Sequence, residues 1–136
     1  MADAEQMTEA PEGTVRVLLA DDDEVFLASL RLLIEQQPEL SVVGTATNGL
    51  AALELVDQLA PEAAVLDLHM PLLDGVSAVA RLRRDHPHLC LIALTGDDAP
   101  ALHQAAKDSG ADDVLLKTQL LDTLVKRLAA ARAPAE

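Results

Sequence analysis

Apolar positions along this chain alternate between two textures, short continuous runs and longer stretches in which apolar residues recur at helical spacing. VRVLLA (15–20) ends against Asp21-Asp22-Asp23, and VFLASLRLLIEQQ (25–37) then carries a helical stripe as far as Pro38. SVVGTA (41–46) reads as a second strand. It is followed by a helix from near Asn48, with Ala52, Leu55, Val56 and Leu59 on one face before Pro61 stops it. AAVLDL (63–68) is a third strand, and Gly75 to about Arg84 a third helix. LCLIALT (89–95), closed by Gly96-Asp97-Asp98, is a fourth strand, with a weaker helix over roughly Pro100 to Asp108. DVLLK (113–117) is the fifth strand, and Leu121, Leu124, Val125 and Leu128 form the stripe of a last helix. Strands this continuously apolar are covered on both faces, so the pattern predicts an α/β fold with a parallel sheet between two helix layers.

Length and composition keep this to one domain. The 136 residues (14.4 kDa) are half hydrophobic, built from Ala, Leu and Val, with Phe26 the only aromatic and no Trp or Tyr. That excludes an aromatic stacking platform for single-stranded nucleic acid. Residues 1–14, polar, acidic and broken by Pro11 and Gly13, read as a disordered leader, 15–131 as the folded domain and 132–136 as a short tail. The lone Cys90 forms no intramolecular disulfide and reads as a small buried hydrophobe. Neither a signal peptide nor an apolar run of membrane-spanning length appears, so the expected location is cytoplasmic, without membrane contact.

Charge sharpens the picture. Of the net −13, all the surplus lies in residues 1–75, which hold fifteen acidic side chains against Arg16 and Arg31; residues 76–136 hold eight of each sign. Phosphate-backbone binding is disfavoured, and cations or basic partner surfaces are the electrostatic match. Arg81, Arg83 and Arg84 cluster at the end of the third helix, where they suit its dipole. His86 and His88 flank Pro87 in a surface loop without a third ligand, and His103 reads as a helix-surface residue.

In parallel sheets ligands bind beyond the carboxyl ends of the strands. That rule gathers Asp21-Asp22, Asp67, Thr95 and Lys117, which terminate strands one, three, four and five, on one edge. Each has an ordinary structural explanation as cap, strand end or solvated lysine; their joint occurrence does not. Three carboxylates in one cleft repel, and a hard divalent cation relieves this, Mg²⁺ fitting best. A carboxylate left free, a hydroxyl and an ammonium would then supply what phosphoryl transfer needs.

With VLLADD, DLHMPLLDG, LTG and VLLK in place, the sequence resembles the receiver domain of two-component response regulators over residues 15 to about 131. The resemblance implies the doubly wound (βα)5 flavodoxin-like fold with strand order 2-1-3-4-5. It implies that Asp67 accepts a phosphoryl group from a sensor histidine kinase, exposed in a lined cleft whose turn begins at Met70-Pro71. Asp22 would hold Mg²⁺ directly and Asp21 largely through water, with a backbone carbonyl from His69. Thr95 and Lys117 would meet the phosphoryl oxygens, while His69 and Asp97 occupy positions that tune the lifetime of the phosphoaspartate. Such a protein modifies only itself and turns over no separate metabolite.

Some positions depart from the family. Val114 stands where many members have a switching aromatic; Thr118 follows the lysine where many have Pro, which most resembles the branch often fused to helix-turn-helix output domains, and Asp23 stands where that branch often has His. Control of transcription would act through an output domain or partner outside these residues. A homodimer through the last two helices and the strand between them is open, though no residue pattern compels it. A phosphorylation-independent protein-binding module is the alternative that Val114 keeps alive. A flavodoxin-like cofactor binder is disfavoured for want of a phosphate-cradling turn or a stacking ring.

Overall fold

The computed structural model describes residues 13–118 and 121–131, for Leu121 and Asp122 the backbone only. The first twelve residues of the expected leader and the tail over 132–136 lie outside the described residues. Among those described, five strands alternate with five helices: β1 (Val15–Ala20), α1 (Glu24–Glu35), β2 (Leu40–Ala46), α2 (Gly49–Leu59), β3 (Ala63–Asp67), α3 (Gly75–Asp85), β4 (Cys90–Thr95), α4 (Pro100–Ser109), β5 (Asp113–Leu116) and α5 (Leu121–Ala130). All strands are parallel, in the order β2-β1-β3-β4-β5, as the resemblance implies.

Helix starts follow side-chain caps. Asp23 Oδ1 accepts the N–H groups of Val25 and Phe26, each at 3.1 Å, so the third acid of the triplet is a cap and α1 begins at Glu24. Asn48 caps α2 through Ala51 N–H, and Asp74 caps α3 through Ser77 N–H, which holds the Asp74 carboxyl below its ordinary value. α4 has no side-chain cap and starts on Pro100 as its first residue, consistent with its weak sequence signal.

Two apolar layers cover the sheet. Leu18, Leu66, Leu91 and Ala93 pack against Val56 of α2, Val79 and Leu82 of α3 and Ala106 of α4. On the other face Val17, Leu19, Val65, Ile92 and Leu94 meet Leu27, Leu30 and Ile34 of α1 and Leu124 and Leu128 of α5. Burying side chains of this size contributes about 1.5–3 kcal/mol each, which is what makes the strand ends a rigid platform. Cys90, expected in the core, is only half-buried, because it opens β4 at the rim of the sheet; burial still raises its thiol above the ordinary value.

Candidate functional site

Register alone brings the polar strand ends together. Ala20 pairs with Leu66, Asp67 with Leu94 and Thr95 with Leu116, so Asp21, Asp67, Thr95 and Lys117 leave the ladder side by side. The fifth strand ends at Leu116, one residue short of expectation, which frees the Lys117 side chain while its N–H still donates to Thr95 O at 2.9 Å. α3 then seals the floor: a Cβ on Gly75 would lie 2.3 Å from Asp67 O, an approach only glycine permits.

Asp67 is not exposed as the resemblance implied. It is 3 % accessible, enclosed because Leu68 and Met70 beside it turn into the core. Burial, and after it the charge of Asp21, push its pKa up to about 6 against the pull of Lys117 and the His69 N–H. Asp21 is buried as deeply, its Oδ1 accepting the N–H of Asp23 at 2.9 Å; Asp22 is exposed at the mouth. Lys117 Nζ lies 2.7 Å from Asp21 Oδ2 and 3.5 Å from Asp67 Oδ2. Burial lowers the lysine pKa, but the two carboxylates outweigh it and hold the ammonium above its ordinary value.

One ammonium does not neutralise three acids, and Asp21 Oδ2, off the line of a good hydrogen bond to Lys117, is a buried oxygen with acceptor capacity to spare. Carboxylate oxygens of Asp21, Asp22 and Asp67 all fall within 4.8 Å of one another. An all-oxygen donor set of this kind fits a small hard cation that keeps several waters.

The remaining residues divide. Thr95 is buried at the end of β4, and its Oγ1 accepts the N–H of Asp97 at 3.0 Å. His69 is exposed beside Asp67. Asp97 stands outside the acid cluster, its carboxylate accepting Ala99 N–H and its carbonyl meeting His103 Nε2 at 2.8 Å, so both residues fix the approach to α4. Val114 packs on the layer that holds Leu102 and Ala106 of α4. At the far end of the sheet His86 pairs with Asp57 at 2.8 Å and borders a cavity of about 450 Å³ with Val56, Pro61 and Leu89, remote from the acids.

Two contacts escaped the sequence reading. Phe26, one turn into α1, places its ring under the Lys117 ammonium at 4.4 Å from the centroid. Arg83 does more than complement a helix dipole, donating to Gly110 O, Pro87 O and Leu89 O and pairing with Asp112. The only signal for the first was a lone ring four residues past the acidic pair.

Comparison with known proteins gives the same constellation a family. The profile of the response regulator receiver domain matches residues 17–129. Response regulator MprA of Mycobacterium ulcerans is 37 % identical over 117 residues, covering 86 % of this chain and 50 % of its own. A protein-glutamate methylesterase/protein-glutamine glutaminase of Shewanella denitrificans is 37 % identical over 106 residues, 76 % of this chain and 27 % of that protein. This chain thus spans about a quarter to a half of the length of these relatives. Among solved structures, the signal receiver domain of the putative response regulator NarL from Mycobacterium tuberculosis superposes with a TM-score of 0.81 at 32 % identity, covering 89 % of this chain and 98 % of that one. With its sheet order, its acid cleft and these matches in agreement, the chain belongs to the response regulator receiver domains, the phosphorylation-dependent switches of two-component signalling.

Proposed function

We propose that Asp67 is the phosphoacceptor, that Asp21, Asp22, Asp67 and the backbone carbonyl of His69 hold Mg²⁺, and that Thr95 and Lys117 receive the transferred group. The observation that carries this reading is the clustering of three carboxylates at the carboxyl edge of the sheet, two of them buried and facing one ammonium. Bound there, Mg²⁺ would offset the carboxylate charge and the charge of the incoming phosphoryl oxygens. An Asp67 carboxylate oxygen forms the new bond to phosphorus as the donor's phosphorus–nitrogen bond breaks. The electron pair returns to the histidine of a sensor kinase, and that imidazole takes up a proton from water. The product is an acyl phosphate, with the Lys117 ammonium placed to pair with its oxygens. Thr95 would reach the same oxygens by exchanging its bond to Asp97 N–H for one to phosphoryl.

The unit doing this spans 15–131 and acts on itself alone; methylesterase action belongs to the relatives' other residues. The receiver reading carries a cytoplasmic placement with it, and no described helix is long and apolar enough to cross a membrane. His69 and Asp97 tune phosphoaspartate lifetime, His69 from the cleft mouth and Asp97 through the start of α4. Output passes to an attached domain or a partner, with α4-β5-α5 as the candidate self-association face. Val114, packed beneath α4, cannot supply a ring to that face.

Intact mass after incubation with Mg²⁺ and a small-molecule phosphodonor tests the reading. One phosphoryl group should add to the wild type with metal, and none to Asp67→Asn or to the metal-free protein. No addition to the wild type, under conditions that modify a control receiver, would favour the phosphorylation-independent binding module.

A further inference from the structure

We propose that Phe26 is a positioning residue that fixes the Lys117 ammonium over the acid cleft through the face of its ring, an inference that rests on the receiver reading of that cleft. Lys117 leaves the end of β5 on a flexible four-carbon stem, and holding such a side chain in one place costs conformational entropy. Among the described residues three groups face its Nζ: Asp21 Oδ2 at 2.7 Å, Asp67 Oδ2 at 3.5 Å and the Phe26 centroid at 4.4 Å. The ring differs in kind from the other two. Its negative face attracts the ammonium without neutralising it, so the lysine is localised while its full charge stays available to an arriving phosphoryl group. A fourth carboxylate in that place would hold the lysine as well and would repel the substrate.

The ring is itself held. Phe26 N–H donates to Asp23 Oδ1, tying the first turn of α1 to the acidic triplet, and the side chain packs half-buried against the layer containing Leu19, Leu94 and Leu115. Lys117 is only 20 % accessible at its side chain, so the contact is largely out of water, where a cation over a ring is strongest.

Phe26 is the only phenylalanine, and Trp and Tyr are absent, so biosynthetic replacement of phenylalanine by mono-, di- and trifluorophenylalanine alters this one side chain and keeps its shape. The rate of Mg²⁺-dependent phosphoryl uptake from a small phosphodonor should fall stepwise along that series. Phe26→Leu, which keeps the apolar packing, should be about three- to tenfold slower than wild type, and Phe26→Trp should stay near it. A second readout needs neither metal nor donor: the Lys117 ε-methylene protons should resonate upfield in wild type from the ring current and return to ordinary positions in Phe26→Leu. Rates that stay flat along the fluorinated series with Phe26→Leu as fast as wild type would overturn the proposal, and so would an unshifted ε-methylene in wild type. If no version takes up a phosphoryl group, the receiver reading itself fails. The methylene shift then decides alone whether the ring fixes the lysine.

Discussion

At the amino end of the sheet Arg83 donates to three backbone carbonyls and pairs with Asp112, whose other task is to accept Leu91 N–H at 2.8 Å. At the carboxyl end three carboxylates cluster, and among the described residues Asp21 and Asp67 share one cation, Lys117, while Asp22 stands exposed beside them. The first arrangement matches charge to partner and ties the segments entering β4 and β5 to the end of α3. The second leaves buried negative charge only partly matched, which costs stability until a cation or a proton arrives. Scaffold and site thus differ in how completely their polar groups are satisfied, and that incompleteness suits the phosphoryl-accepting role proposed for the cleft.

Breaking the satisfied end should have the largest effect on stability. Arg83→Ala leaves the carbonyls of Leu89 and Gly110 without this donor and Asp112, which keeps Leu91 N–H, without its cation, and should cost about 2–3 kcal/mol in urea unfolding. Phosphoryl uptake per folded molecule should stay unchanged, because no atom of the cleft is touched. Uptake lost in proportion beyond unfolding would mean that the two ends are coupled.

A pH series sharpens the comparison from the other side. With the Asp67 pKa raised from its ordinary 3.8 to about 6, the folded metal-free protein holds a proton in that window which the unfolded chain has released. The Asp67 contribution to stability is therefore most favourable below about 4, falls as pH rises to about 6 and is flat above it. Between pH 5 and 7 the loss should be on the order of 1 kcal/mol, visible as the difference in slope between wild type and Asp67→Asn. Mg²⁺ held at Asp67 as proposed would compete with that proton, so the rise in melting temperature on adding it should be larger at pH 7 than at pH 5. The smallest effect lies in the turn after Asp67. Leu72 holds φ at 70° while 74 % exposed, a left-handed conformation without compensating burial. Leu72→Gly should stabilise by about 0.5–1 kcal/mol in the same unfolding assay.

Much of this architecture was legible in the sequence because the signals are local. Continuous runs such as AAVLDL mark strands buried on both faces, and Asn48 and Pro100 mark helix starts through a cap and a fixed backbone angle. The convergence of Asp21, Asp67, Thr95 and Lys117 was legible as well, since a parallel sheet puts every strand's carboxyl end on one edge. The depth of that edge was not. Asp67 is enclosed where the turn after it carries Leu68 and Met70 into the core and brings Gly75 against its carbonyl, which no spacing encodes. Arg83 reads as a dipole match until the loop before β5 is seen to pass its guanidinium, with Gly110 at φ 122° making room. The Phe26–Lys117 contact joins α1 to the end of β5, and only the packing of helix on sheet brings the two together.

Whether the carboxyl edge stores unmatched negative charge is decided by urea unfolding of metal-free wild type and Asp67→Asn at pH 7. Without metal Asp67→Asn should be the more stable of the two by about 1–2 kcal/mol, and added Mg²⁺ should stabilise wild type far more than the variant. A less stable Asp67→Asn, together with equal responses to Mg²⁺, would mean that Asp67 is already satisfied by its neighbours and that the cleft is scaffold rather than site.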